Sequence, residues 1–208
     1  MRIIAGEFRS RRLKTLPGTA TRPTSDKLRE ALFDVLGARV AGSVWYDCYA
    51  GSGAVGLEAV SRGAACAVFV EGSRAAARVL RANVAALGVE PRCIILDQPV
   101  LAALAQATRL ADFIYLDPPY SAAGEYRRVL ELLGTGVALK AEGIVIAEHA
   151  RRAPPDAQYG GLARYRVLEQ GDSALSFYRR PETGDCRREG KNAAYCPHPT
   201  ASNLQSPA

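Results

Sequence analysis

The sequence predicts an α/β fold on a parallel, doubly wound sheet, and two features predict it. From residue 43 onward, short apolar runs alternate with stretches of helical periodicity, the order of a sheet whose strands are joined by crossover helices. The first run ends in the glycine-rich turn AGSGAVG, and the fourth stops at an Asp followed by two prolines. Both stop where a parallel sheet presents the carboxyl ends of its strands to a ligand.

Residues 1 to 16, MRIIAGEFRSRRLKTL, alternate around Gly6 and read as a basic hairpin or extended arm. Arg22, Pro23 and Thr24 lead into a helix whose Leu28, Ala31, Leu32, Val35 and Leu36 share one face, with Thr24 or Ser25 as N-cap and Gly37 beyond its end. Strands are expected at 43 to 49, 66 to 71, 93 to 97, 113 to 117 and 143 to 148, and helices at 54 to 62, 73 to 87, 99 to 108 and 124 to 133. Residues 162 to 179 read as two antiparallel strands, LARYRVLEQ and ALSFYRR, around Gly171 and Asp172. Residues 181 to 208, rich in Pro, Gly, Ser and Asn without apolar period, read as a disordered tail. The expected organisation is a basic arm over 1 to 23, one domain over 24 to 180, and that tail.

At 208 residues, with 48% apolar and 23% charged content, the chain is one globular domain in size and composition. No apolar run approaches the roughly 20 residues of a membrane span, and the basic, polar amino terminus lacks a secretory apolar segment, so a cytoplasmic location is expected. Cys48, Cys66 and Cys93 fall in or beside apolar strands and read as small buried residues. Cys186, Cys196 and His198 lack a close metal-ligand spacing, and no metal is expected.

The net charge of +6 is concentrated at one end. Residues 1 to 29 hold eight basic side chains (Arg2, Arg9, Arg11, Arg12, Lys14, Arg22, Lys27, Arg29) against Glu7 and Asp26, and the rest of the chain balances. A basic arm on a neutral body suits a phosphate-rich partner, the plainer alternative being a solubilising segment.

In FIYLDPPY, residues 113 to 120, an apolar strand ends at Asp117. Proline cannot donate to a ladder and holds the preceding residue extended, so Asp117 and Pro118 are rigid. A fixed carboxylate, the Pro118 carbonyl and the Tyr120 ring can grip a planar group bearing an NH2: two acceptors and a stacking face. The bland reading is a strand cap and a proline turn. Hydrogen bonds from such an amine would orient its delocalised lone pair, so catalysis would be mostly positioning.

Gly51, Gly53 and Gly56 stand in GxGxxG spacing, with Glu71 twenty residues after Gly51. That is a dinucleotide fingerprint taken mechanically, or a ligand-free tight turn. Asp47 before the glycines and Glu71, Asp97 and Asp117 at the next strand ends would line one crevice with four carboxylates. Such a crevice repels a pyrophosphate and suits the sulfonium and amino group of S-adenosylmethionine. Glu71 would then hold the ribose hydroxyls, Asp97 and Gln98 would lie near adenine, and the loop with Asp47, Ala50, Gly51, Ser52 and Gly53 would hold the methionine end. His149 and Trp45 read as a strand-end residue and a core residue.

The assembly MRIIAGEFRSRRL, RPTSDKLREALFDVL, DCYAGSGAVGLEAVSRGA, FVE and LDPPY resembles the RsmD family of bacterial 16S rRNA guanine-N2 methyltransferases, over residues 1 to about 180. The resemblance implies a class I S-adenosylmethionine-dependent methyltransferase: a Rossmann-like, seven-stranded, mostly parallel sheet with an antiparallel carboxyl-terminal hairpin. It implies catalytic roles for Asp117, Pro118, Pro119 and Tyr120, a donor loop at Asp47, Ala50, Gly51, Ser52, Gly53 and Glu71, and a substrate-side loop at Arg22, Pro23 and Thr24. It also implies a guanine of 16S rRNA, in a small-subunit particle, as target; a monomer is expected, and the charge of the arm puts Arg2, Arg9, Arg11, Arg12 and Lys14 on the RNA. Gly72 and Ser73 depart from the family, which usually has a residue and then an Asp there. A DNA amino-methyltransferase and a non-catalytic RNA-binding assembly factor are the alternatives.

Overall fold

The computed structural model describes residues 1 to 16, 25 to 119 and 124 to 181, so the expectations for Arg22, Pro23, Thr24, Tyr120 and the tail lie outside the described residues. So does the boundary expected at residue 23. The chain runs α1 (Asp26–Leu36), β1 (Val44–Cys48), α2 (Ala54–Ser61), β2 (Cys66–Val70), α3 (Arg74–Leu87), β3 (Cys93–Leu96) and α4 (Val100–Ala105). It continues through β4 (Ala111–Leu116), α5 (Glu125–Gly134), β5 (Leu139–Ala150), β6 (Gln158–Tyr159), β7 (Leu162–Gln170) and β8 (Ser173–Arg179).

One mixed sheet has the order β3-β2-β1-β4-β5-β8-β7-β6. β1 to β5 are parallel, and β8, β7 and β6 are antiparallel, as the sequence predicts for the doubly wound part and its terminal hairpin. The sheet has one strand more than seven. β6 is a two-residue strand turned back on β7 through Gly160 and Gly161, too short to carry an alternating pattern. β5 begins at Leu139, four residues before expectation, because Leu139 pairs with Ala111 across an irregular register that an apolar-run reading stops at Gly143. α4 is shorter than its expected span and ends at Ala105.

Two apolar layers cover the sheet. Trp45 is fully buried between Phe33 and Phe113, at ring-centroid distances of 5.3 and 5.4 Å, and is a core residue as expected. The other face packs Tyr46, Cys48, Ile114 and Leu116 against α4 and α5. Cys48, Cys66 and Cys93 are free thiols, the first two buried. Among the described residues, no helix is long and apolar enough to cross a membrane.

The amino-terminal arm is a hairpin docked on α2. An antiparallel bridge joins Arg2 to Arg12, and Ile3 and Leu13 enter the core. Glu58, the one acid in a wholly buried helix, accepts from the amides of Ile4 and Ala5 at 2.7 and 3.0 Å. Ser61 accepts from Phe8 N and donates to Ala5 O. Glu58 also pairs with Arg62 at 2.8 Å and lies 3.8 Å from the fully buried Arg29, which reaches Arg2 O and Asp26. Removing one partner of a buried pair leaves an uncompensated charge. Glu58→Ala should therefore cost about 3 to 5 kcal/mol in urea unfolding; a loss within about 0.5 kcal/mol would mean that Arg29 and the arm are held by other contacts.

Candidate active site

A cavity of about 640 Å³ opens at the carboxyl ends of β1, β2 and β4, beside the point where the strand order reverses. Its base is the turn after β1. Gly51 and Gly53 have φ of +56° and +80°, which side-chain-bearing residues rarely adopt, and Gly53 starts α2. A Cβ on Gly56 would sit 2.4 Å from the Phe69 ring, so this glycine sets how closely α2 approaches β2. Tyr49 has φ +66°, an unusual conformation for an aromatic residue, and two amides of this turn, Tyr49 N and Ala50 N, share the Val70 carbonyl.

Glu71 stitches that turn to α3. One carboxylate oxygen accepts from Gly51 N at 2.8 Å and the other from Ser73 N at 2.7 Å, while Ser73 Oγ caps α3 at Ala76 N. A carboxylate has about four acceptor sites, so Glu71, on the cavity wall, keeps capacity for two hydroxyls.

Asp47 and Asp117 also line the cavity. Asp47, 2% exposed at the end of β1, accepts from Gly56 N at 2.8 Å, and burial with the nearby Glu71 pushes its carboxyl up to about 7. Asp117 follows the last residue of β4. Burial, then Glu148, then Asp47 hold its carboxyl well above the usual carboxylate range. Among the described residues no donor reaches it, an unusual state for an enclosed carboxyl group.

Four expected site residues, Asp97, Gln98, Gly53 and Pro118, are not on the cavity lining, although the last three adjoin residues that are. Asp97 is not on the cavity wall; its carboxylate pairs with Arg81 at 2.6 Å on the surface, and the wall there is formed by Pro99 and Val100. Gln98, Gly53 and Pro118 are likewise absent from the lining, whereas Ala50, Gly51, Ser52 and Pro119 belong to it. β3 stops one residue short of Asp97, which frees that side chain to turn outward. His149, expected to follow the fifth strand, lies within β5, buried and paired with Ala174, and its ring bonds Ser176 and the Ala150 carbonyl.

Three residues that sequence reasoning passed over complete the site. Glu148, in β5, accepts from the Tyr115 hydroxyl and adds its charge beside Asp117. Glu125, in the first turn of α5, lines the cavity and accepts from Tyr49 at 2.8 Å, joining the turn after β1 to the helix after β4. Asn83, a buried amide on the apolar face of α3, donates to Lys14 O and Ser52 O and accepts from Lys14 N. It fastens the arm to the glycine turn, so Met1, Thr15 and Leu16 reach the cavity wall. The available signal was a polar residue on an otherwise apolar helix face, as at Glu58.

A model of the family described as Conserved hypothetical protein 95 matches residues 1 to 179. The chain belongs to the RsmD family. It is similar to the ribosomal RNA small subunit methyltransferase D of Escherichia coli K12, at 31% identity over 185 residues, 89% of this chain and 92% of that protein. It is 33% identical to YlbH of Bacillus subtilis, a candidate rRNA methyltransferase, over 86% of this chain and 99% of that one. The solved Escherichia coli protein yhhF, a candidate methyltransferase, superposes with a TM-score of 0.77 at 30% identity, covering 86% of this chain and 97% of that one. Ser73 serves the site locally, through its cap on α3 and its N–H bonded to Glu71.

The Asp47 carboxyl, raised from 3.8 in the unfolded chain to about 7, gives a pH prediction. A folded-state pKa above the unfolded one favours folding at low pH, and that contribution is lost as pH rises from about 4 through 7. Asp47→Asn keeps an acceptor for Gly56 N without the charge. Its stability relative to the parent should rise between pH 4 and 7 and level off above, by about 2 to 4 kcal/mol at pH 8. Thermal unfolding of both proteins across that range checks it, and a pH-independent difference would contradict it.

Proposed function

We propose that this protein transfers the methyl group of S-adenosylmethionine to the exocyclic N2 amine of a guanine in 16S rRNA, acting on the small ribosomal subunit in the cytoplasm. The observation that carries the reading is Asp117: a carboxyl group with unfilled acceptor capacity at a rigid strand end, in the same cavity as Glu71 and the glycine turn. Relatives at 31 to 33% identity with rRNA methyltransferase names support the class of reaction.

The cavity chemistry fits the donor. Its wall carries Asp47, Glu71, Asp117 and Glu125 and, among the described residues, no Lys or Arg side chain, which favours a cationic ligand over a pyrophosphate. When bound, S-adenosylmethionine supplies an activated methyl group. Glu71 would accept the ribose hydroxyls, Asp47 and the turn at Ala50, Gly51 and Ser52 would face the methionine end, and Pro99 and Val100 would flank adenine. Asp117 and the Pro118 carbonyl would accept the two amine hydrogens, and Tyr120 would stack on the base. Held by those acceptors, the amine lone pair would face the activated methyl group, which the donor would give up as its bond to sulfur breaks. One amine proton leaves through Asp117 or water.

Labelled S-adenosylmethionine offered with separated rRNA, tRNA and DNA, followed by digestion to nucleosides, tests the reading. Label in N2-methylguanosine is expected, and label confined to methyladenine or methylcytosine would overturn it. In the same assay Asp117→Ala should abolish transfer and leave donor affinity within a few fold, because it removes a charge-assisted hydrogen bond worth about 1.5 to 3 kcal/mol and its alignment. Glu71→Ala should act in the opposite sense, weakening donor affinity with less effect on the rate at saturation. Near-normal turnover by Asp117→Ala would reduce the DPPY stretch to a strand cap.

The arm is proposed to grip RNA phosphates. Because Ile3 and Leu13 are core residues, deletion would disturb the fold, so charge reversal is the cleaner probe. Arg9 and Arg12 are exposed and have no ion pair among the described residues. Arg9→Glu with Arg12→Glu should weaken RNA binding and flatten the slope of log affinity against log salt by about 0.7 to 0.9 for each phosphate no longer neutralised. An unaltered slope would leave the arm as a structural hairpin.

A further inference from the structure

We infer that a second cavity, of about 460 Å³ on the α1 side of the β5, β8 and β7 end of the sheet, is a binding site for one nucleotide of the RNA outside the catalytic crevice. The inference rests on the RNA reading above. The cavity lies between the carboxyl end of α1 and the sheet, at residues 141 and 142 of β5. In the β4 and β5 register, residues 141 and 142 lie between Leu139, the partner of Ala111, and Ile144, the partner of Phe113, so the cavity sits three to five residues of β4, roughly 10 to 16 Å, down the sheet from Leu116 beside Asp117.

Its chemistry is that of an anion site with a stacking platform. Arg39, Arg166, Arg179 and Arg180 line it against, among the described residues, a single acid, Glu142. Three of the four are already oriented: Arg39 donates to the Leu36 carbonyl at 3.3 Å, Arg180 donates to the Leu139 carbonyl at 3.2 Å, and the Arg179 guanidinium lies 4.9 Å from the centre of the Tyr165 ring. Arg166 has no hydrogen bond or ion pair among the described residues. Planar guanidinium groups suit bidentate contact with phosphate oxygens.

Backbone irregularity adds the ring. The pairing of β7 with β8 shifts register between Arg164 and Arg166, so Tyr165 is the extra residue of a bulge and stands 41% exposed. An exposed ring with a guanidinium laid across it offers a flat surface for a base. An acidic peptide would need the cations alone, so the pair favours a nucleotide.

The test compares the full-length protein with two surface variants, Arg166→Glu with Arg179→Glu, and Tyr165→Ala. It measures binding to small-subunit rRNA at several salt concentrations, competition by polyglutamate, donor affinity, and KM and kcat for methyl transfer. The charge variant should bind RNA at least about ten-fold more weakly, with its salt slope reduced by about 0.7 to 0.9 for each phosphate released. Tyr165→Ala should lose about five-fold or more with the salt slope unchanged, as a stacking interaction does. KM should rise in both, with kcat and donor affinity unaltered. Parental affinity and slope in the charge variant would overturn the inference, as would polyglutamate competing as well as RNA of equal charge. If the parent binds RNA through these arginines yet forms no N2-methylguanosine, the catalytic reading fails and the site stands; a parent that binds no RNA removes both.

Discussion

Placing carboxyl groups at the enclosed ends of neighbouring parallel strands is unfavourable without a cation, and the site depends on that constraint. Asp47 is the penultimate residue of β1, Asp117 follows β4, and Glu148 lies in β5, so three acids crowd around the carboxyl end of β4, beside the point where the strand order reverses. Glu148 and Asp47 both raise the cost of ionising Asp117, beyond the effect of its burial. Asp47 is partly compensated by the Gly56 amide, Glu148 has the Tyr115 hydroxyl, and Asp117 has no donor among the described residues. The crevice is therefore poised for a ligand bringing positive charge and hydrogen-bond donors, and the proposed reaction supplies both, as a sulfonium and an amine.

The rest of the fold holds that crevice in shape. Glu71 ties the glycine turn to the start of α3, Asn83 ties it to the arm, and Tyr49 with Glu125 ties it to α5. The arm is thus part of the cavity wall through Met1, Thr15 and Leu16, and its exposed basic face continues outward from there. In the proposed function, the groups that bind the donor and those that meet the RNA share backbone contacts, so disturbing the arm would also disturb the donor loop.

Much of this was legible in the sequence because the signals are local. Strand and helix alternation gave the parallel sheet, and FIYLDPPY located Asp117 at its strand end, since prolines stop a ladder wherever they fall. The glycine spacing located the turn. Asp97 was placed wrongly because a strand-end acid reads as facing the crevice, yet one residue of coil and a nearby Arg81 suffice to turn it outward. Glu58, Asn83 and Glu148 were overlooked for a related reason: a polar residue within an apolar element reveals its partner only when distant segments meet. The partners of Glu58 and Asn83 in the arm lie 53 to 69 residues away in the chain. β6 and the long start of β5 arise from pairing rather than from any pattern of their own.

The central claim, that the crowded carboxyl groups receive a cationic donor, is open to a direct measurement. Calorimetry at pH 7 in two buffers of different ionisation enthalpy would count the protons released when S-adenosylmethionine and S-adenosylhomocysteine bind. The two share every group except the methyl on sulfur and the charge it confers. A cation beside Asp47 and Asp117 lowers their pKa values, so S-adenosylmethionine should release more protons than S-adenosylhomocysteine, and the excess should shrink in Asp47→Asn. Equal release by the two ligands would contradict the claim.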